Sequence, residues 1–284
     1  MAFALEIAVV VAVLGAAFLH AFWNFQVRGT SDKALGMAAV MFGHLPMAVV
    51  GTCFVGLPTA SAWPYVLVSA FLHLGYQVFL LNAYRFGELT EIYPIARGAS
   101  PLLITVFTMV VFPGALVIVE IVGILMVSGA IIAYGVAQYR REQVRLTAIL
   151  LACATGFFIA SYSLVDAAGT RIAESAVAYY GASTSANAVL FALYLVWFHP
   201  GVLRQSYIGA PRTFIYGGTA SYIAYVTVLW ACLHAPVAVV SSLRETSVLF
   251  AVGLGVVFLK ERLTVFKLSI IVLIFAGVVT LRMA

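Results

Sequence analysis

Apolar residues in this chain come in long continuous runs, not in the alternating or one-sided patterns of water-soluble strands and helices. Ten runs of about 20 residues each, the length a helix needs to cross a bilayer, are bounded by turn residues or charge. They cover approximately 4–27, 34–56, 63–84, 90–112, 115–138, 146–165, 175–198, 211–233, 236–258 and 264–282. The pattern predicts an all-α membrane protein with ten transmembrane helices. Barrel strands would instead alternate over segments of about ten residues. The connections are short, so successive helices run antiparallel, and no soluble domain fits between them. The first run, Leu5–Phe25, lacks a basic flank and exceeds a signal-peptide core, which makes it a span.

Two halves are visible. Residues 93–101 read YPIARGASP and residues 240–248 read VSSLRETSV; at a shift of 147, Arg97 falls on Arg244 and Ser100 on Ser247. Gly29-Thr30 and Gly169-Thr170 each follow the first span of their half. The expected division is 1–143 and 144–284, five spans each. An odd number of spans per half inverts one half relative to the other, and inverted repeats around a central cavity are a common plan of secondary carriers.

Composition agrees: 64% of the 284 residues are hydrophobic and 9% charged, against about 25% charged in an ordinary soluble domain. The net charge of +5 comes from scattered residues, with no basic run for a nucleic acid. Of the fifteen Lys and Arg, eleven lie at odd-numbered loops or their flanks. Arg171 and Arg282 lie on the even side, and Arg97 and Arg244 fall inside spans. The positive-inside rule then places the odd loops in the cytoplasm and both termini outside, for a bacterial-type inner membrane. Cys53, Cys153 and Cys232 sit in apolar stretches without a CxxC pair, and read as small buried hydrophobes.

Ionisable side chains within spans cost ~2.5–3.5 kcal/mol each on insertion scales, so they are functional candidates by default. Arg97 and Arg244 lead. Each could bind a substrate carboxylate or close a gate; the alternative is a structural arginine satisfied by helix-end carbonyls. Glu245 adjoins Arg244, but neighbours point apart on a continuous helix, so they are not expected to pair. His20, Trp23 and Asn24 share one face of span 1, and His73, Tyr76 and Gln77 one face of span 3. The trio of span 1 and, in span 3, Tyr76 and Gln77 read as cavity lining or as packing between helices. Pro94 and Pro101, with Gly98 between, predict an interruption of span 4 near Tyr93 and Ser100, as gating or helix-break residues; span 9 carries no proline after Pro236. Tyr93, Ser100, Tyr162, Tyr222 and Ser242 complete the candidate cavity, with Tyr180, Asn187 and Tyr225 as further polar aromatic or amide positions. Glu6, Glu120 and Asp166 lie near span ends and read as solvated interfacial carboxylates, proton coupling being the alternative.

Four segments resemble the drug/metabolite transporter superfamily, in its ten-helix EamA-type branch: His20-Ala21-Phe22-Trp23-Asn24, Tyr93-Pro94-Ile95-Ala96-Arg97-Gly98, Leu243-Arg244-Glu245-Thr246-Ser247 and Phe258-Leu259-Lys260-Glu261-Arg262-Leu263. The last has no counterpart in the first half, which reads Phe112-Pro113-Gly114-Ala115 at the matching place. The resemblance implies export or exchange of small amphipathic metabolites by alternating access, and within the branch the chain looks most like bacterial aromatic-amino-acid exporters. Other metabolites or drugs are the alternative cargo. The implied partners are a small-molecule substrate and the lipid bilayer; no cofactor, metal or nucleic acid is called for, and a monomer is compatible with the sequence. An intramembrane enzyme is the rival class, but HExxH, GxSxG and Walker A motifs are all absent.

Overall fold

The computed structural model describes residues 2–28, 30, 32–86, 89–142, 146–260 and 264–283, with side chains left aside at 2–6, 28, 89–94, 138–142 and 259. Among them the chain is helical throughout, without strands. The helices are α1 (Ala2–Arg28), α2 (Lys33–Val55), α3 (Trp63–Ala83), α4 (Leu89–Val111), α5 (Ile118–Glu142), α6 (Leu146–Ala173), α7 (Ala176–Phe198), the short α8 (Val202–Ile208), α9 (Gly218–Cys232), α10 (Val237–Arg244), α11 (Ser247–Leu259) and α12 (Val265–Arg282). A wide π-type turn over Thr213–Gly217 leads into α9. Nine helical stretches among the described residues are long and apolar enough to cross a membrane; a further apolar stretch, Ile95–Val111, lies in α4.

Local chemistry sets the ends. Asp32 accepts a hydrogen bond from the Ala34 amide at 2.8 Å to start α2, and Ser175 and Thr264 do the same for α7 and α12. A helix satisfies its backbone polar groups within its own segment, the condition a bilayer imposes.

Two compact units form, each drawing on both halves of the sequence. Residues 1–74 and 165–234 make the first, residues 75–164 and 235–284 the second, so α3 and α6 contribute to both. In the first unit α2 packs on α7, α8 and α9, and α1 lies on α9. Its core gathers Ala48, Val66, Tyr179, Tyr180, Tyr222 and Leu229. In the second unit α5 lies between α4 and α12, with α10 against α4 and α5, around Val127, Ile131, Ile270 and Ile274.

Lipid tails are as apolar as leucine, so helices in a membrane associate by close packing rather than by the hydrophobic effect. Glycine supplies that closeness here. A Cβ on Gly43 would collide with the Phe214 carbonyl, and one on Gly218 would lie 2.5 Å from Cα of Gly43. In the second unit a Cβ on Gly123 or on Gly277 would come within 3.0 Å of the other's carbonyl oxygen.

The sequence-based expectations need correction at four places. First, α4 runs unbroken through Pro94, Gly98 and Pro101. Proline at 101 removes one hydrogen bond, whereas parting the helix in lipid would free a whole turn of backbone groups. Second, the interruption lies in span 9, at Glu245 and Thr246, where no proline stands. There the amides of Glu245 and Thr246 bond the carbonyls of Ser242 and Leu243, both at 3.1 Å, so a tight turn keeps the backbone satisfied. Third, α6 continues to Ala173, past the predicted end at 165, and carries Asp166 into the interior. Fourth, Cys53 and Cys153 face outward, and only Cys232 is buried.

Gly43→Ala should lower the thermal stability of the detergent-solubilised protein by about 1–3 kcal/mol, the usual cost of overpacking. Gly15→Ala, with nothing within 4 Å of the added Cβ, should be neutral or slightly stabilising in the same melt.

Candidate functional site

Both units place charge where water does not reach. In the second unit, α4 carries Arg97 inward, and the turn closing α10 carries Arg244 and Glu245. Arg97 and Arg244 are each 4% exposed, and Glu245 is fully buried. Arg97 Nε donates to Glu245 Oε2 at 2.9 Å. Arg244 Nε stands 3.7 Å from Glu245 Oε1, an ionic contact too long for a hydrogen bond. Arg244 and Glu245 therefore do interact, against expectation. The rule that adjacent residues diverge holds for a continuous helix, and this helix ends at Arg244.

One carboxylate faces two guanidinium groups, so the cluster carries a formal charge of +1. The repeat explains the excess: a shift of 147 matches Arg97 to Arg244 but sets Gly98 opposite Glu245. Nε and Nη2 of Arg244 have no hydrogen-bond partner among the described residues. Ser241, one turn before Arg244, and Ser100, one turn after Arg97, also have buried hydroxyls without a described partner. Ser242, in contrast, spends its hydroxyl on the Ala238 carbonyl at 2.8 Å.

In the first unit the charge is negative. Asp166 is fully buried, which corrects its reading as a solvated interfacial carboxylate. Tyr179 donates to Oδ1 at 3.0 Å and Tyr225 to Oδ2 at 2.6 Å. His73 Nε2 lies 3.0 Å from Oδ2. Aromatic rings surround the group: Tyr180 packs against Tyr225 at 4.7 Å and Tyr222 at 5.3 Å between centroids. Behind them His44 Nδ1 meets the hydroxyls of Thr184 and Tyr180, each at 3.2 Å. His44 Nε2 and the Tyr222 hydroxyl are buried without a described partner.

The remaining predicted residues distribute between the units. On α1, Trp23 Nε1 donates to His20 Nδ1 at 3.2 Å and Asn24 to the His20 carbonyl at 2.8 Å, so this trio does share a face. Tyr76 meets Tyr162 edge-on at 5.8 Å in the second unit, where Gln77 is buried. Asn187 donates to the Ala70 carbonyl at 3.0 Å in the first. Gly98 lets α4 approach Ile131 and Ile132 of α5. Glu120 caps α5 by accepting from the Val117 amide at 2.9 Å. The side chains of Glu6, Tyr93 and Pro94, and residues Glu261, Arg262 and Leu263, lie outside the described residues. Sequence reasoning passed over Tyr179, His44 and Thr184. Asp166 was hidden because the span boundary was drawn at the first charge.

Against known proteins, the model of the EamA-like transporter family matches residues 146–283. Residues 146–283, just under half of the chain, are thus similar to the EamA-like transporter family. A solved structure described only as "Crystal structure of protein" superposes with a TM-score of 0.74 at 18% identity, covering 98% of this chain and 96% of its own. At that identity the likeness shows the fold. A search of curated proteins finds no match. EamA-like proteins are multi-pass membrane transporters rather than enzymes, and the helices described above have the length and apolarity of that architecture. Within the EamA-like half lie Asp166, Tyr225, Arg244 and Glu245, so charged residues of both clusters belong to the matched region.

Losing Glu245 would remove the carboxylate that both buried guanidinium groups face. Glu245→Ala should therefore destabilise the detergent-solubilised protein by about 3–5 kcal/mol. Adding Arg97→Ala should recover part of that loss, and a double-mutant cycle of unfolding free energies measures the coupling.

Proposed function

We propose that the chain is an inner-membrane carrier that exports small amphipathic metabolites, amino acids first and aromatic ones favoured, by alternating access between two inverted five-span halves. The observation that carries the substrate reading is Arg244. Its guanidinium is buried in a cluster of formal charge +1, with Nε and Nη2 lacking a described partner. A carboxylate is the anion whose planar pair of oxygens fits that donor fork. It would neutralise the excess charge that Glu245 leaves. Tyrosine side chains suit the remainder of an aromatic solute, since their rings offer apolar faces and their hydroxyls polar tips. The excess of basic residues at the odd-numbered loops supports a cytoplasmic location for those loops, with both termini outside.

The test is counterflow of radiolabelled tryptophan into proteoliposomes preloaded with unlabelled tryptophan. The expected outcome is saturable uptake, competed by phenylalanine and tyrosine. Arg244→Gln should raise the half-saturating concentration about tenfold or more, the worth of one charge-assisted hydrogen bond. Uptake of tryptamine, which lacks the carboxylate, should not change in that way. Normal tryptophan counterflow by both Arg97→Ala and Arg244→Ala would overturn the role given to the arginines.

A further inference from the structure

The Asp166 cluster is a different kind of device from the arginine cluster, because its charge can change. We propose that His73 and Asp166 form a proton-binding site that takes up and releases one proton in each transport cycle. The proposal rests on the carrier reading above and adds a source of energy to it.

The argument begins with the inventory of charge. Asp166 is fully buried in a helix that crosses an apolar medium, seven residues or about 10 Å before the end of α6. An isolated carboxylate in such a place would sooner take a proton than remain charged. Here three donors converge on it: the hydroxyls of Tyr179 and Tyr225, and His73 Nε2. The hydroxyls stabilise the carboxylate without neutralising it. Arg171 stands nearby in sequence on the same helix, yet its guanidinium donates to the Cys232 carbonyl, from Nε at 3.1 Å and from Nη2 at 2.8 Å. Among the described residues, His73 is the group within ion-pair distance of Asp166 that can become a cation.

Two states of the pair follow. With His73 neutral, Nε2–H donates to the carboxylate and the cluster carries one negative charge. With His73 protonated at Nδ1 as well, the same Nε2–H bond persists and the pair is an ion pair of zero net charge. One proton separates the two states, no other bond breaks, and the geometry holding Oδ2 at 3.0 Å serves both. The His73 side chain is 14% exposed while Asp166 is closed off, so the imidazole is the member of the pair through which the proton would pass. The titratable groups in contact with the pair are Tyr179 from α7 and Tyr225 from α9; Tyr180 and Tyr222 and, from α2, His44 pack behind the Tyr225 ring, and Arg171 follows on α6. His44 is a second imidazole, joined to the pair through the Tyr180 and Tyr225 rings. Apart from Arg171, engaged as above, none of these supplies a fixed positive charge, so the charge of the pair follows its own proton.

The experiment uses the full chain in proteoliposomes of phosphatidylethanolamine and phosphatidylglycerol. Tryptophan counterflow at equal pH on both sides reports the carrier reading alone. An imposed pH gradient reports the proposal. If one proton moves per substrate, each pH unit should sustain about a tenfold accumulation of tryptophan. Asp166→Asn and His73→Gln should abolish that accumulation at whatever rate of counterflow remains, and Asp166→Glu should restore part of it. Infrared difference spectra between acid and alkaline pH give a second readout that needs no substrate: the imidazole and carboxylate bands of one titrating pair in the parent protein, missing in both variants. Counterflow unaffected by the gradient, accumulation that persists in Asp166→Asn, or identical difference spectra in parent and variants would each overturn the proposal. An absence of tryptophan counterflow with the infrared signature present would instead sink only the substrate reading.

Discussion

Glu245 holds two guanidinium groups in a region that water does not reach, and the chain brings α4 and the turn after α10 together around that contact. A charge transferred from water to a low-dielectric interior loses several kcal/mol of solvation even after relaxation. The loss is met only where an opposite charge lies close and in good geometry. Arg97 has that arrangement, with its Nε 2.9 Å from the carboxylate. Arg244 has it in part, at 3.7 Å. The tight turn after α10 is what makes a single carboxylate available to both: a straight helix would send the side chain of Glu245 away from that of Arg244. Backbone irregularity and charge placement are thus one feature of the molecule.

The first unit meets the same constraint with the opposite sign. Its anion, Asp166, is surrounded by hydroxyls and an imidazole, all groups that can donate a hydrogen bond without carrying a permanent charge. The contrast matters for what each cluster can do. A guanidinium remains charged at any physiological pH, so Arg97 and Arg244 are fixed charges. An imidazole beside a carboxylate is the pairing that answers to protons. In the proposed carrier the two clusters would answer to different ligands, the arginines to a substrate carboxylate and the imidazole–carboxylate pair to a proton.

How much of this could be read from the sequence depended on what each pattern records. Apolar run length records the thickness of the bilayer, so the ten spans and the all-helical fold followed from it. The internal repeat matched Arg97 to Arg244, and both are buried beside Glu245. Span ends were less legible. A charge was taken to mark an interface, yet α6 carries Asp166 inside and ends two turns later. The partners of Asp166 were beyond reach because Tyr179, Tyr225 and His73 come from three other helices, and no spacing rule joins them. The trio His20, Trp23 and Asn24 was legible for the converse reason, its contacts being local to one turn of α1.

Proline proved a poor guide to where the backbone departs from the regular helix, and the reason is physical. Proline deletes one donor, and a helix in lipid keeps its course because every alternative frees more polar groups than it satisfies. Departures occur instead where other groups take up the freed bonds. At 245–246 the amides turn to carbonyls three residues back, and Thr246 Oγ1 donates to the Leu243 carbonyl at 2.7 Å. At 213–217 the wide turn packs its backbone directly on Gly43, where no Cβ intervenes. At 245–246 the irregular backbone is buried, and at 213–217 it is buried at its two ends, Thr213 and Gly217. The useful sequence signal for such a departure is therefore not the residue that breaks a helix but those that receive the break: a glycine on the facing helix, or a threonine whose hydroxyl can return to the chain.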